Sequence, residues 1–283
     1  MNGLIDIRTA TLTNALVGLV FWLYMAHVLR TRKTYPGFPQ WTIASLCLFA
    51  AMVLIGLRDV TPAWASIVGG NTLAVGSIVL VDRGVGLFMG RSPSRAWAVF
   101  PVLACVAISI FFTYFRPDVR ARIILISLLT MLATVHCIAS ARAPRARQPG
   151  RSTTWLVASL GGLAAWWAAR IVLTWIYEGA THDFLSASVV QGVSLVVFCA
   201  ANIAIFLGLL VLHQQRIESD LTQALEEVRT LQGIIPICSH CKKIRDDRGA
   251  WNQLEEYISR HSGAEFSHGY CPECFQRAMT DLK

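Results

Sequence analysis

Seven apolar stretches, each near the length of a bilayer crossing, limit what this chain can fold into more than any other feature. A hydrocarbon core of roughly 30 Å takes about 20 helical residues. Such stretches fall at about 11–30, 41–57, 63–83, 97–115, 121–141, 154–177 and 186–212, the second being the shortest. Lipid offers backbone amides no hydrogen-bond partner, so each crossing must be a helix. With 54% hydrophobic and only 15% charged residues, the chain is too apolar for a soluble globular protein, where charged residues run near a quarter. Pro36, Pro39, Pro62, Pro93, Pro117, Pro144 and Pro149 fall between the stretches, as helix breakers should, and Pro101 sits near the start of the fourth. The opening MNGLIDIRTATL lacks the basic region and small-residue cleavage site of a secretory signal, so the first stretch is expected to be retained.

Charge separates the chain into two regions. Residues 1–212 hold 16 Lys/Arg and six Asp/Glu, a net of +10, whereas 213–283 hold nine and eleven, a net of −2. The overall +8 therefore belongs to the membrane connections and forms no coherent nucleic-acid face. Basic residues concentrate in the first, third and fifth connections: Arg30, Arg32 and Lys33; Arg91 and Arg95; Arg142, Arg145, Arg147 and Arg151. The second pairs Arg58 with Asp59, the fourth sets Arg116, Arg120 and Arg122 beside Asp118, and the sixth carries Glu178 and Asp183. The positive-inside rule then puts the N-terminus outside and the C-terminal region in the cytoplasm, which in a bacterium means the inner membrane. Connections this short leave no room for an external binding domain, so a ligand must be met within the bundle, in the lipid or at a shallow mouth.

Polar groups in hydrocarbon are costly and should face the bundle interior. Asn14, Asn71, His136, Arg170, Gln191 and Asn202 are of this kind, and hydrogen bonding between helices accounts for most of them. Arg170, Asn71 and His136 are the candidates for an intramembrane ligand site. Arg170 needs a partner: an anionic ligand or lipid headgroup, or else backbone carbonyls or Asn/Gln side chains. Asp82, beside Arg83, reads as a residue at the cytoplasmic end of the third helix, tolerable there by snorkelling. A metal site made from His136 and Cys137 is disfavoured, because adjacent helical residues point about 100° apart. Gly161, Gly162 and nearby alanines give the sixth helix a small-residue surface suited to close packing.

Residues 213–233 form a polar linker helix. Ile217, Leu221, Ala224, Val228 and Leu231 repeat at spacings of four and three, a two-heptad seam with Glu218, Asp220, Glu226, Glu227 and Arg229 off it. Two heptads do not hold a coiled coil alone, but membrane tethering raises the effective concentration of two chains, so homodimerisation through this helix is expected. A bare spacer is the alternative.

In the final region Cys238 and Cys241 form one C-x-x-C pair and Cys271 and Cys274 another, 29 residues apart. Two residues between thiolates let both sulfurs reach one ion, and two such knuckles complete a tetrahedral zinc site. A reducing cytoplasm disfavours disulfides, and a domain of about 50 residues has too small a core to be comfortably stable without a staple. The spacer accommodates a hairpin and a short helix, with a turn at 246–249 and Trp251, Leu254 and Ile258 on one helical face. His240 and His268 lie beside the pairs and are placed as groups supporting the ligands. A haem attachment is excluded by Lys242, which stands where such a motif places His, and no nucleophile, base and orienter can be assembled.

These residues resemble a known module. The run from Leu231 to Cys274, with PICSHCKKIRDDRGAW and EFSHGYCPEC, is similar to a small cysteine-rich module at the C-terminus of bacterial PAS-domain and response-regulator signalling proteins. The resemblance covers roughly 45 residues; it implies a signalling context and carries the four cysteines over as ligands. The membrane half is similar to seven-helix sensor regions that precede diguanylate cyclase or histidine kinase domains, through the NTL run at Asn71, the glycine-bearing third helix ending near Arg83 and Gly84, and Phe88, Gly90 and Arg91. No sequence of either catalytic domain follows. The expectation is thus a mainly α protein: a seven-transmembrane helix bundle (1–212), a coiled-coil-like linker helix (213–233) and a small zinc-knuckle α+β domain (234–283). It is expected to act as a membrane sensor in contact with lipid, dimeric, holding Zn²⁺ and engaging a cytoplasmic signalling protein. A membrane enzyme, transporter or redox protein with a regulatory tail, and a membrane-anchored zinc or thiol sensor, are the alternatives.

Overall fold

The computed structural model describes residues 7–58, 60–91, 94–142, 151–177, 189–232, 236–246, 249–261 and 264–281, without the side chains of 151–152, 226–232, 261 and 281. The readings placed on Asp59, Pro93, Pro144, Arg145, Arg147, Pro149, Arg151, Glu178, Asp183, Glu226, Glu227, Val228, Arg229 and Leu231 lie outside that description, as do residues 1–6 and the middle of the 246–249 turn.

Among the described residues, seven helices are long and apolar enough to cross a membrane. They are α1 (Ile7–Thr31), α2 (Phe38–Gly56), α3 (Trp64–Phe88), α4 (Arg95–Phe115), α5 (Val119–Arg142), α6 (Arg151–Tyr177) and α7 (Val189–Gln232). The chain is a multi-pass membrane protein. α3 begins and α4 ends in a π-helical turn, Trp64–Gly69 and Phe111–Phe115. Pro101 lies within α4 and is buried. The structure divides into two compact units, Met1–Ile217 and Glu218–Lys283.

The core of the first unit is made by large side chains from six helices, among them Met25, Phe38, Trp41, Leu48, Val85, Leu156, Phe206 and Leu209. Leu12, Leu16, Val20 and Leu23 on α1, and Val99, Phe100 and Leu103 on α4, are turned outward instead. In water such faces would be a liability; against acyl chains they are the solvent contact a membrane helix needs.

One crossing point explains why glycine stands where it does. α2 enters through Gly37, whose φ of 102° is left-handed and suits a residue without a Cβ. A Cβ on Gly84 in α3 would lie 2.3 Å from Trp41 Nε1 and 2.8 Å from the Gly37 carbonyl oxygen. With both glycines in place, Trp41 is fully buried and its Nε1–H donates to the Val81 carbonyl at 3.3 Å. The α2–α3 contact is thus set by backbone closeness, as small residues permit in membranes.

Two details differ from the sequence reading, and in a third, the continuity of the last crossing with the linker, the helix runs as that reading has it. α3 runs to Phe88, five residues past the apolar stretch, which draws Asp82 inside the bundle. Gly161 and Gly162 do not receive a neighbouring helix, since a Cβ on either meets nothing within 4 Å. α7 passes from the last apolar stretch into the polar linker without a break, and Leu221 and Leu225 are exposed on it.

The second unit contains an antiparallel hairpin, β1 (Ile244–Arg245) with β2 (Trp251–Asn252), then α8 (Leu254–His261) and α9 (Pro272–Asp281). Hairpin and helix are both present between the cysteine pairs. Trp251, however, lies in β2 and is half exposed, so it does not share a helical face with Leu254 and Ile258; Ile244 is the buried residue of the hairpin.

Gly84→Ala is expected to destabilise the protein by about 1–3 kcal/mol, the range for overpacking a tight contact. Gly76→Ala, where a Cβ meets open space, should leave the melting temperature in detergent unchanged or raise it slightly. Equal behaviour of the two variants would contradict the crossing described.

Candidate functional site

Antiparallel helices bring distant residues together at their ends. Arg58 follows the last turn of α2, Asn71 lies early in α3, Arg122 is in the first turn of α5, Arg170 is two turns from the end of α6 and Gln191 is third in α7. All five line one cavity of about 100 Å³. Its apolar lining includes Met52, Ile55, Val75, Ile123, Leu195 and Phe198, together with Trp167.

Among the described residues that line the cavity are three arginines, Arg58, Arg122 and Arg170. Arg122 and Arg170 are buried, and Arg170 Nη2 donates to Gln191 Oε1 at 2.7 Å. This is the Asn/Gln acceptor that the sequence allowed for Arg170. The same guanidinium stacks over the Trp167 ring, 5.4 Å from its centroid, and Arg122 Nη1 donates to Thr113 Oγ1 at 2.9 Å. Trp167 is 8% exposed, and its Nε1–H is buried with no hydrogen-bond acceptor.

His136 is not part of this group. It lies near the opposite end of α5, where its Nδ1 is 2.8 Å from Asp82 Oδ2. The sequence reading of Asp82 as a snorkelling end residue is therefore corrected: its side chain is only 5% exposed, held across the α3–α5 interface by a histidine that is 44% exposed. Trp97 stacks on that imidazole with 4.3 Å between centroids. A carboxylate in such a place needs a hydrogen-bonded partner, and His136 supplies one. Among the remaining polar residues, Asn14 Nδ2 bridges α1 to the Leu195 carbonyl at 3.1 Å, while Asn202 Nδ2 returns to the Phe198 carbonyl of its own helix.

α7 is held at both ends of its membrane part. Gln191, Ser194, Leu195 and Phe198 line the cavity. Some five turns on, Arg216 Nη1 donates to the Phe88 carbonyl at 2.8 Å and its guanidinium lies over Tyr35, while the His213 ring packs 4.6 Å from Phe38.

In the second unit each cysteine pair sits on a tight backbone turn. The Cys238 amide donates to the Lys243 carbonyl at 2.8 Å, the Lys242 amide returns to the Cys238 carbonyl at 3.0 Å, and Lys242 takes a left-handed φ of 60°. This tight turn presents both thiols of the first pair to one side. Cys271 immediately precedes α9, accepts the Phe275 amide at 2.9 Å on its carbonyl, and is followed one turn later by Cys274. The Cys241 amide, then the His240 amide and the Cys241 side chain, lower the pKa of Cys238; the Cys274 amide and side chain do the same for Cys271. Thiolate is the form that binds zinc, so the donor set fits that ion pair by pair. No group of three or more metal-ligating side chains converges among the described residues. His240 and His268 are exposed beside the pairs.

Arg58, Arg122 and Trp167 were missed as site residues. Taken one at a time they read as topology charges and apolar filling. Their common signal is position, since each lies within a few turns of the helix ends that the antiparallel order brings together.

Comparison with protein-family models, with curated proteins and with solved structures finds no match to this chain.

In metal-free protein, alkylation of Cys238 and Cys271 is expected to show pH–rate midpoints below that of an unperturbed cysteine peptide measured alongside. A lowered pKa means the reactive thiolate is already formed at lower pH. Midpoints at or above that value, read by mass spectrometry of the alkylated peptides, would contradict the hydrogen bonding described.

Proposed function

We propose that the protein is a membrane signal transducer, in which the seven-helix bundle receives a cue and the C-terminal cysteine unit, held by zinc on Cys238, Cys241, Cys271 and Cys274, engages a cytoplasmic partner. The observation that carries this reading is α7: it lines the cavity with Gln191 and Phe198 and continues as one helix to Gln232. A change in the cavity that shifts this helix has a direct mechanical route out of the membrane. Leu221 and Leu225 are exposed on the polar part of α7, where an apolar seam invites a second copy of the chain. The resemblance of the tail to a signalling module supports the same reading, and the excess of Lys/Arg in the odd-numbered connections supports a cytoplasmic C-terminus.

Bound zinc would supply structure and no chemistry of its own. In zinc-finger peptides closed thiolate sites contribute roughly 10–16 kcal/mol of apparent binding free energy, enough to hold so small a unit. Cys241, Cys271 and Cys274 are exposed and the strands are two residues long, which leaves that unit little else to fold around.

Two measurements test the proposal. The purified full chain is expected to carry one zinc per molecule, lost in Cys238→Ser and in Cys271→Ser alike; two independent metals, or none, would reject the zinc-stapled unit. A photo-cross-linking residue at Leu221 should capture a second copy in membranes, and Arg170→Gln should change that yield severalfold. A stalk that never cross-links, or one blind to Arg170, would reject transduction through α7.

A further inference from the structure

The connection between α4 and α5 carries two arginines that do not line the cavity. α4 ends in the π-helical turn Phe111–Phe115, and the Arg116 amide closes that turn on the Phe111 carbonyl at 3.0 Å. Arg120 lies in the first turn of α5; its Nη2 donates to the Trp175 carbonyl near the end of α6, and its guanidinium lies 4.8 Å from the centre of the Trp175 ring. Arg116 is thus placed by α4 and Arg120 aimed by α6. Asp118 between them is engaged at the start of α5, its Oδ1 accepting the Ala121 amide at 2.9 Å, and neither arginine forms an ion pair among the described residues.

Their level in the bundle decides what they meet. α4 ends at Phe115, α5 begins at Val119 and α6 ends at Tyr177, so the hydrocarbon boundary falls at this end of the three membrane-crossing helices. Tyr114, Trp175 and Tyr177 are exposed there, amphipathic rings of the kind enriched at headgroup depth. The acceptor found at that depth is the phosphate of a phospholipid, and a guanidinium binds phosphate through paired, charge-assisted hydrogen bonds. The Trp175 carbonyl takes only one of the N–H donors that the Arg120 fork offers.

An acyl path leads away from the same place. α5 packs on α3, α4 and α6, yet Leu128, Leu132 and Val135 are exposed, at spacings of four and three that align them as one stripe. The stripe begins about 12 Å along α5 from Arg120 and about a quarter turn round the helix from it. It continues for about 10 Å more, so arginine and stripe together span the roughly 15 Å of hydrocarbon in one leaflet.

We propose that Arg116 and Arg120 hold the phosphodiester of one bilayer phospholipid, with an acyl chain laid along Leu128 and Leu132 between α4 and α6. A lipid held there bridges the end of α4 to the end of α6 across α5. The site is separate from the cavity and stands or falls independently of the transducer reading.

The test is native mass spectrometry of the full chain from micelles doped equally with phosphatidylglycerol and monogalactosyl diacylglycerol of the same acyl chains. Phosphatidylglycerol is expected to stay bound at collision energies that strip the galactolipid, which lacks a phosphate. Arg120→Gln should weaken its retention about tenfold, the usual effect of removing a charge-assisted hydrogen bond. Arg116→Gln should weaken it severalfold, and serves if Arg120→Gln does not fold, because the Arg116 side chain is exposed. Arg277→Gln, the same charge change on exposed α9, should leave retention unchanged. Galactolipid held as firmly as phosphatidylglycerol, retention equal to wild type in both arginine variants of the connection, or an equal loss in Arg277→Gln would each overturn the proposal. So would sn-glycerol 3-phosphate displacing the lipid, since that result assigns the arginines to a free phosphate.

Discussion

Burying a charged or hydrogen-bonding group in hydrocarbon without a partner is the constraint on which this structure depends. Arg170 and Asp82 would each be untenable alone in a bilayer. Each is placed where another helix answers it: Gln191 of α7 for Arg170, His136 of α5 for Asp82. The helices cannot slide past one another or rotate without breaking such contacts. A core that is otherwise apolar on both its inner and its lipid faces gains a defined register from them, since apolar burial alone distinguishes poorly between neighbours in lipid.

The same contacts give α7 its distinct position. Its first turns meet the arginine-lined cavity through Gln191, and its later turns are held by Arg216 on the Phe88 carbonyl and by His213 against Phe38. Between these points the helix packs Ile205, Phe206 and Leu209 into the bundle. A rigid element with polar anchors at two levels conveys displacement better than a flexible one, because side chains that hold one register resist independent motion. The tight α2–α3 crossing at Gly37 and Gly84 sets the frame beside it, since the helix that holds Gly84 ends at Phe88, where Arg216 is anchored.

Much of this was legible in the sequence because a bilayer reduces the choices. Apolar length located all seven helices, and the breakers between them located the connections. Arg170 and Gln191 stood out as costly residues. Their pairing did not, since only the packed order of α6 and α7 brings them together. Asp82 was misread for a reason that is physical: the apolar run stops near Arg83, while the helix continues through small glycines to Phe88, carrying Asp82 inward. Arg58 and Arg122 resembled topology charges because the positive-inside rule counts residues and ignores direction. In the tail, the turn chemistry foretold hairpin and helix, but Trp251 fell to the strand because pairing with Arg245 outweighed a marginal helical period.

Hydrogen exchange along α7 of the full chain in nanodiscs tests the central claim, that α7 is one continuous helix from the residues that line the cavity to Gln232. The account expects slow exchange through residue 212, measurable helical protection from 213 to 225, and a change in that second stretch when Arg170 is replaced by Gln. Exchange from 213 to 225 at the rate of an unstructured peptide, or a protection pattern identical in the variant, would contradict it.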